Sequence, residues 1–225
     1  MKTIISILLF LTMFITANSY STEVFNLKKP GENHLYFNFE FDPTFAVVLG
    51  YSRTFYLDFI NRNLTLAVDY TLPIFLLDMK HYRFEFTNRI PLFDSQSWNI
   101  VNRFSLLNAG TDNGLYVGNK FSINEGLLLG YFQPKWYSAV EVGFEKNLLT
   151  YIEHSDKYKS QIYPNAKDGW YKSTGSKYVL AIQGGYTFAD FFELTARVGL
   201  QWLEGFNENM LGLPLFMNIG TTYHF

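Results

Sequence analysis

The sequence predicts an all-β fold: a closed antiparallel transmembrane β-barrel of about ten strands in up-and-down order, with eight or twelve also compatible. Three observations carry that expectation. Along most of the chain, large apolar residues alternate with small or charged ones. Aromatic residues make up 19% of it, yet the mean hydropathy is only −0.02. The chain opens on a short apolar leader and closes on an alternating strand whose last residue is Phe225.

The leader reads MKTIISILLFLTMFITANSYSTE. Lys2 supplies a positive start, and Ile4–Ile15 is apolar apart from Ser6 and Thr12. Ala17-Asn18-Ser19 offers the small residues of a cleavage site. This is the form of a secretory signal peptide, and it divides the chain into a leader, 1–19, and a barrel domain, 20–225. The run is short for a membrane-spanning helix, which needs about 20 residues, so an uncleaved anchor is the weaker alternative. The absence of cysteine excludes a lipid anchor on that residue and any disulfide framework. With 18 Lys and Arg against 20 Asp and Glu, there is no basic excess for nucleic acid.

The elements follow by period two. Leu35, Phe37, Phe39 and Phe41 oppose Asn38 and Glu40. After Asp42-Pro43, Phe45, Val47, Leu49 and Tyr51 oppose Ala46, Gly50 and Ser52. Leu64, Leu66, Val68, Tyr70 and Leu72 oppose Thr65, Ala67, Asp69 and Thr71. Tyr82, Phe84 and Phe86 oppose Arg83, Glu85 and Thr87. Trp98, Ile100, Phe104 and Leu106 oppose Asn99, Arg103 and Ser105, with Asn102 interrupting the apolar set. Leu115–Phe132 reads either as one long strand with a bulge near Asn124-Glu125-Gly126 or as two strands. Val140, Val142 and Phe144 oppose Ala139, Glu141, Gly143 and Glu145. Tyr178, Leu180, Ile182, Tyr186 and Phe188 oppose Ala181, Gln183, Gly185 and Thr187. Phe192, Leu194, Ala196, Val198, Leu200 and Trp202 oppose Glu193, Thr195, Arg197, Gly199 and Gln201. The terminal strand completes the set.

The minority face decides which way the barrel turns. Asp69, Arg83, Glu85, Arg103, Lys120, Glu141, Glu145, Glu193 and Arg197 share it with glycines and small polar residues. A soluble barrel would turn its rings inward, but the aromatic set here is too extensive to fill a small lumen. Charges of both signs can neutralise one another inside. The expected arrangement is apolar face to lipid and charges within, and a closed barrel satisfies every backbone donor and acceptor, as lipid demands.

With its leader, alternating strands and terminal aromatic, the whole chain resembles Gram-negative outer-membrane β-barrel proteins. In that class the last strand carries an assembly signal ending in Phe, with apolar residues at two-residue steps. The resemblance places it at Leu215, Met217, Ile219, Tyr223 and Phe225, with Thr221 a mild departure. It implies outer-membrane localisation, with the barrel-assembly machinery, outer-membrane lipid and lipopolysaccharide as partners. It also implies that the last strand runs towards the periplasm. The turns at Ala189-Asp190 and Gln133-Pro134-Lys135, and Pro91–Ser97, then lie on that side. Pro73–Lys80, Asn108–Gly114, Asn147–Ser176 and Leu203–Leu213 become outer loops.

The longest expected outer loop offers His154, Asp156, Tyr163, Lys167, Asp168, Trp170 and Tyr171 for contact with sugar or lipid headgroups. The same aromatics suit an interfacial girdle, which is the plainer reading. Leu148–Lys159 has the pattern of a short amphipathic helix. His154-Ser155-Asp156 is contiguous, and a catalytic triad is defined by geometry rather than contiguity. His34, His81 and His224 stand isolated, although Asp78 and His81 can meet across a turn. No metal-ligand spacing or phosphate-binding glycine loop is present, so no cofactor is expected. In so small a barrel the inner charges are expected to form a paired plug, with a narrow pore as the alternative. The sequence therefore points to a non-enzymatic structural, surface-binding or small-solute role. The competitors are a rim enzyme acting on lipid or peptide, a narrow channel, and a soluble ligand-binding barrel.

Overall fold

A computed structural model describes residues 30–42, 44–74, 81–95, 97–112, 114–189, 191–203 and 215–225. The expected signal peptide, Asp78 and nearly all of the loop Leu203–Leu213 fall outside them.

Ten strands form one closed sheet: β1 (Asn33–Asp42), β2 (Thr44–Leu57), β3 (Arg62–Pro73), β4 (Tyr82–Ser95), β5 (Trp98–Asp112), β6 (Tyr116–Phe132), β7 (Trp136–His154), β8 (Gly169–Ala189), β9 (Phe192–Leu203) and β10 (Leu215–His224). Each pairs antiparallel with its sequence neighbours, and β1 closes the ring on β10. A short helix, α1 (Asp156–Gln161), sits between β7 and β8. One end of the barrel carries the chain terminus and the short β2–β3, β4–β5, β6–β7 and β8–β9 turns, and is called the terminal end below. The other is the loop end.

The alternation becomes the two faces of this sheet. In β10, Phe216, Asn218, Gly220, Thr222 and His224 are buried, while Met217, Ile219 and Tyr223 face out. On β7, Val142 is 60% exposed and its neighbour Glu141 is 0%. Phe39, Leu129, Ile182 and Phe188 are likewise more than half exposed, while Arg197 and Arg89 are each 1%. The barrel is apolar outside and polar inside, the reverse of a soluble barrel.

Several loop expectations are corrected. Within Leu115–Phe132 the chain forms one strand, Tyr116–Phe132, rather than two, and its irregularity falls between Phe121 and Ser122, not at Asn124–Gly126. Asn108–Gly114 is mostly strand, because β5 continues to Asp112. The expected periplasmic segment Pro91–Ser97 is also strand as far as Ser95, with a register shift between Pro91 and Phe93. The loop Asn147–Ser176 shrinks, because β7 runs on to His154 and β8 begins at Gly169. The helix expected over Leu148–Lys159 forms only at Asp156–Gln161. The cause is a register shift between Asn147 and Leu149. One extra residue reverses the inward and outward sets, so a continuing strand loses its period-two signature. Ser155 then starts α1, its Oγ accepting from the Tyr158 backbone N–H at 3.2 Å.

Candidate functional site

The lumen is built on the inward positions of the strands. Glu141 on β7 reaches two arginines from other strands: Arg103 Nη2 of β5 lies 2.6 Å from Oε1, and Arg197 Nη2 of β9 lies 2.8 Å from Oε2. All three side chains are almost wholly buried. Small residues make this crossing possible. A Cβ on Gly126 would stand 3.3 Å from Glu141 Oε1 and 3.4 Å from Arg103 Nη2. Arg197 also lies over the Phe216 ring, 4.8 Å from its centroid.

Other pairs flank this centre. Towards the loop end, Glu145 receives Lys120 Nζ and Lys177 Nζ, each at 3.1 Å. Arg83 Nη2 lies 2.8 Å from Glu85 Oε2. Asn218 Nδ2 donates to Glu40 Oε1 at 3.0 Å. Asp69 and Glu193 are buried, and Glu193 Oε2 lies 3.3 Å from His224 Nε2. Rings fill the remaining space. Tyr36 lies across its ladder partner Gly50, where a Cβ would fall 2.0 Å from the ring. Tyr137 covers Gly185 and stacks on Phe132 with centroids 5.4 Å apart.

The interior also holds Glu40, Arg89 and Lys177, beyond the nine charges expected there. Glu40 and Arg89 stand in the same alternating phase as their selected neighbours, so the period carried them too. Lys177 likewise stands in the phase of Ala181 and Gln183, one residue before the outward Tyr178.

At the loop end, the outer-loop residues separate. Asp168 Oδ1 accepts from the His154 backbone N–H at 2.8 Å and lies 3.0 Å from His154 Nδ1, and Lys159 Nζ donates to Oδ2. These donors hold the Asp168 carboxyl well below the usual carboxylate range, and Asp168 in turn raises Lys159. Tyr158 stacks on His154 at 4.9 Å. Tyr171 Oη donates to the Lys167 carbonyl at 2.5 Å. Asp156 instead occupies the first turn of α1, where a carboxylate complements the helix dipole. Tyr163 and Trp170 point outward, at 54% and 63% exposure, and Trp170 packs on Tyr151. His154-Ser155-Asp156 forms no triad: Ser155 caps the helix and His154 is held by Asp168. No side-chain hydroxyl hydrogen bonds to the His154 ring among the described residues. A shallow cavity of about 120 Å³ lies beside it, lined in part by Asp112, Tyr116 and Glu153. His81 Nε2 accepts from the Asp112 backbone N–H at 3.3 Å.

At the terminal end, His34 and His224 are not isolated. Barrel closure sets their rings 4.7 Å apart beside Glu32. These are the described residues whose donors could hold a metal. The apolar terminal positions Met217, Ile219, Tyr223 and Phe225 all face outward, and Leu215 is half-buried.

The fold is that seen in outer-membrane β-barrels. The architecture is shared with an outer membrane channel from Pseudomonas putida F1, with a TM-score of 0.53 and 10% identity over 93% of this chain and 100% of that one. Similar solved structures also include the N-terminal β-barrel domain of Pseudomonas aeruginosa OprF (TM-score 0.37, 13% identity, 87% of this chain and 98% of that one) and the KdgM porin (TM-score 0.34, 11% identity, 85% and 99%). No protein-family model matches the chain, and no curated protein does. At these identities the likeness is one of fold.

Proposed function

We propose that this barrel spans the outer membrane, exported through a cleaved leader and inserted by way of its C-terminal strand, with a non-enzymatic structural and surface-binding role and a closed lumen. The observation that carries the closed lumen is Glu141, fixed between Arg103 and Arg197 at 0% exposure. A charge network of that kind bars passage unless its pairs break, and a buried guanidinium without a carboxylate is expensive. The outward apolar belt supports residence in lipid. The outward Met217, Ile219, Tyr223 and Phe225 support an assembly signal that the insertion machinery reads. The exposed Tyr163, Trp170 and Tyr171, on the same loop segment as Lys157 and Lys167, suit contact with lipopolysaccharide headgroups at the loop end.

A narrow channel is the second reading. Its support is that ionic groups succeed one another through the interior, from Lys120–Glu145–Lys177 through Arg103–Glu141–Arg197 to Glu193–His224. Planar-bilayer recording separates the two. The closed barrel gives no steady conductance in the wild type and gains one in Glu141→Ala. Steady, ion-selective conductance by the wild type would replace this reading with the channel.

A further inference from the structure

The seam that closes the barrel also assembles a set of donors. β1 and β10 pair His34 directly opposite His224. Asn33 and Phe225, the preceding pair, exchange both backbone hydrogen bonds at 3.0 Å. His34 and His224 therefore occupy the next, non-hydrogen-bonded position, where facing side chains of an antiparallel ladder stand closest. Both point into the lumen and are 2% and 5% exposed. Glu32, just before β1, turns its carboxylate to both rings. Oε2 lies 3.5 Å from His34 Nε2 and Oε1 lies 4.0 Å from His224 Nδ1. One donor atom from each of the three falls within 4.8 Å of the others.

The ring nitrogens are what make this cluster unusual. His34 Nε2 and His224 Nδ1 are buried and face the Glu32 carboxylate at 3.5 and 4.0 Å, too far for a well-made hydrogen bond. Buried polar atoms without a well-made hydrogen bond are costly and rare. The far sides of the rings are oriented as metal-binding imidazoles require. Ser52 Oγ sits 3.3 Å from His34 Nδ1, and Glu193 Oε2 sits 3.3 Å from His224 Nε2. A carboxylate or hydroxyl on the outer nitrogen fixes the tautomer and directs the other nitrogen's lone pair at a cation.

We propose that Glu32, His34 Nε2 and His224 Nδ1 form a binding site for a divalent transition metal of the zinc class, with Glu193 and Ser52 as positioning residues. Two imidazoles and a carboxylate are a donor set zinc accepts, leaving a fourth position for water. Bonds of about 2.0–2.1 Å set tetrahedral donors about 3.4 Å apart. Binding has to draw these donors, now within 4.8 Å of one another, closer together, and Glu32 lies outside the strands. The metal would tie the first strand to the last at the seam of the barrel, next to the terminal aromatic residues.

The test uses the untagged, folded protein in detergent micelles, stripped with a chelator and titrated with zinc chloride by calorimetry. Cobalt absorption reports coordination geometry. The expected result is one zinc per chain, a tetrahedral cobalt spectrum, and a zinc-dependent rise in the temperature at which the compact gel band is lost. Glu32→Gln and His34→Asn should each abolish the stoichiometric binding, and Glu193→Gln should weaken it by about 10- to 100-fold. His154→Ala, at the other end of the barrel, should change nothing. Absence of binding by the wild type overturns the site, as does binding that survives Glu32→Gln and His34→Asn in folded protein. Should His34→Asn not fold, Glu32→Gln and the wild-type cobalt spectrum decide alone.

Discussion

Val142 and Glu141 are adjacent on β7 and face opposite environments, so substituting each in turn tests the inside-out arrangement directly. Val142 is 60% exposed and is bordered by outward Val140 and Phe144 along its strand. Across the ladder it meets Leu127 on β6 and Leu180 on β8, both outward. It lies well inside the apolar stretch that begins at Trp136. Arginine on the lipid face near the bilayer midplane costs about 2–4 kcal/mol, falling to about 0–1 near the interfaces. Val142→Arg should therefore shift the unfolding equilibrium by roughly 30- to 700-fold, at about 1.4 kcal/mol for each factor of ten. Tyr186→Arg, in the aromatic cluster of the terminal end, should cost much less. Glu141→Ala acts by another route: it leaves Arg103 and Arg197 buried without their carboxylate, at about 3–5 kcal/mol. Reversible denaturant unfolding in lipid vesicles, followed by Trp fluorescence and gel mobility, measures all three. Thinner bilayers should change the Val142→Arg penalty and leave that of Glu141→Ala unaltered. If Val142→Arg unfolds like the wild type, or like Tyr186→Arg in every lipid, the outward face is not in hydrocarbon and the reasoning fails.

Three further outcomes are expected. Deleting Phe225 should prevent outer-membrane recovery of the compact unheated band, and normal fractionation of the truncated chain would remove the proposed assembly signal. Gly50→Ala should be more disruptive than Gly143→Ala. The first Cβ lands 2.0 Å from the Tyr36 ring, while the second meets nothing closer than 3.5 Å, and comparable thermal stability of the two would contradict the ring-over-glycine packing. Asp168→Asn should loosen the loop at 155–168, read as faster trypsin cleavage at Lys157, Lys159 and Lys167. Because the folded-state carboxyl is depressed, its stabilising contribution is complete above the usual Asp value of about 3.9 and is lost only as pH falls below it. The wild-type loop should thus stay protected at pH 5, and equal cleavage of the two proteins there would show that Asp168 does not hold it.

The sequence by itself determined the strands, their two faces and the sense in which the faces turn. Alternation is local: Leu35 to Phe41 or Phe192 to Trp202 declares its period without reference to any other segment. Nine charges on the face opposite the rings leave one economical arrangement, since both sets cannot be inside. Local signals failed where one residue was inserted. The shift at Asn147 and Leu149 reversed the phase, so a strand running to His154 read as loop and helix. Pro91 lies within β4 rather than in the connection Pro91–Ser97, because the register shift that accommodates it depends on β5. What only the tertiary structure decided is which charges meet. Glu141 touches Arg103 and Arg197 because β5, β7 and β9 curve around one lumen, and nothing in their spacing along the chain encodes that distance. The same holds for His34 and His224, each unremarkable within its own strand. Closure of β1 on β10 makes them neighbours, because a ring of strands brings the two ends of the sequence together.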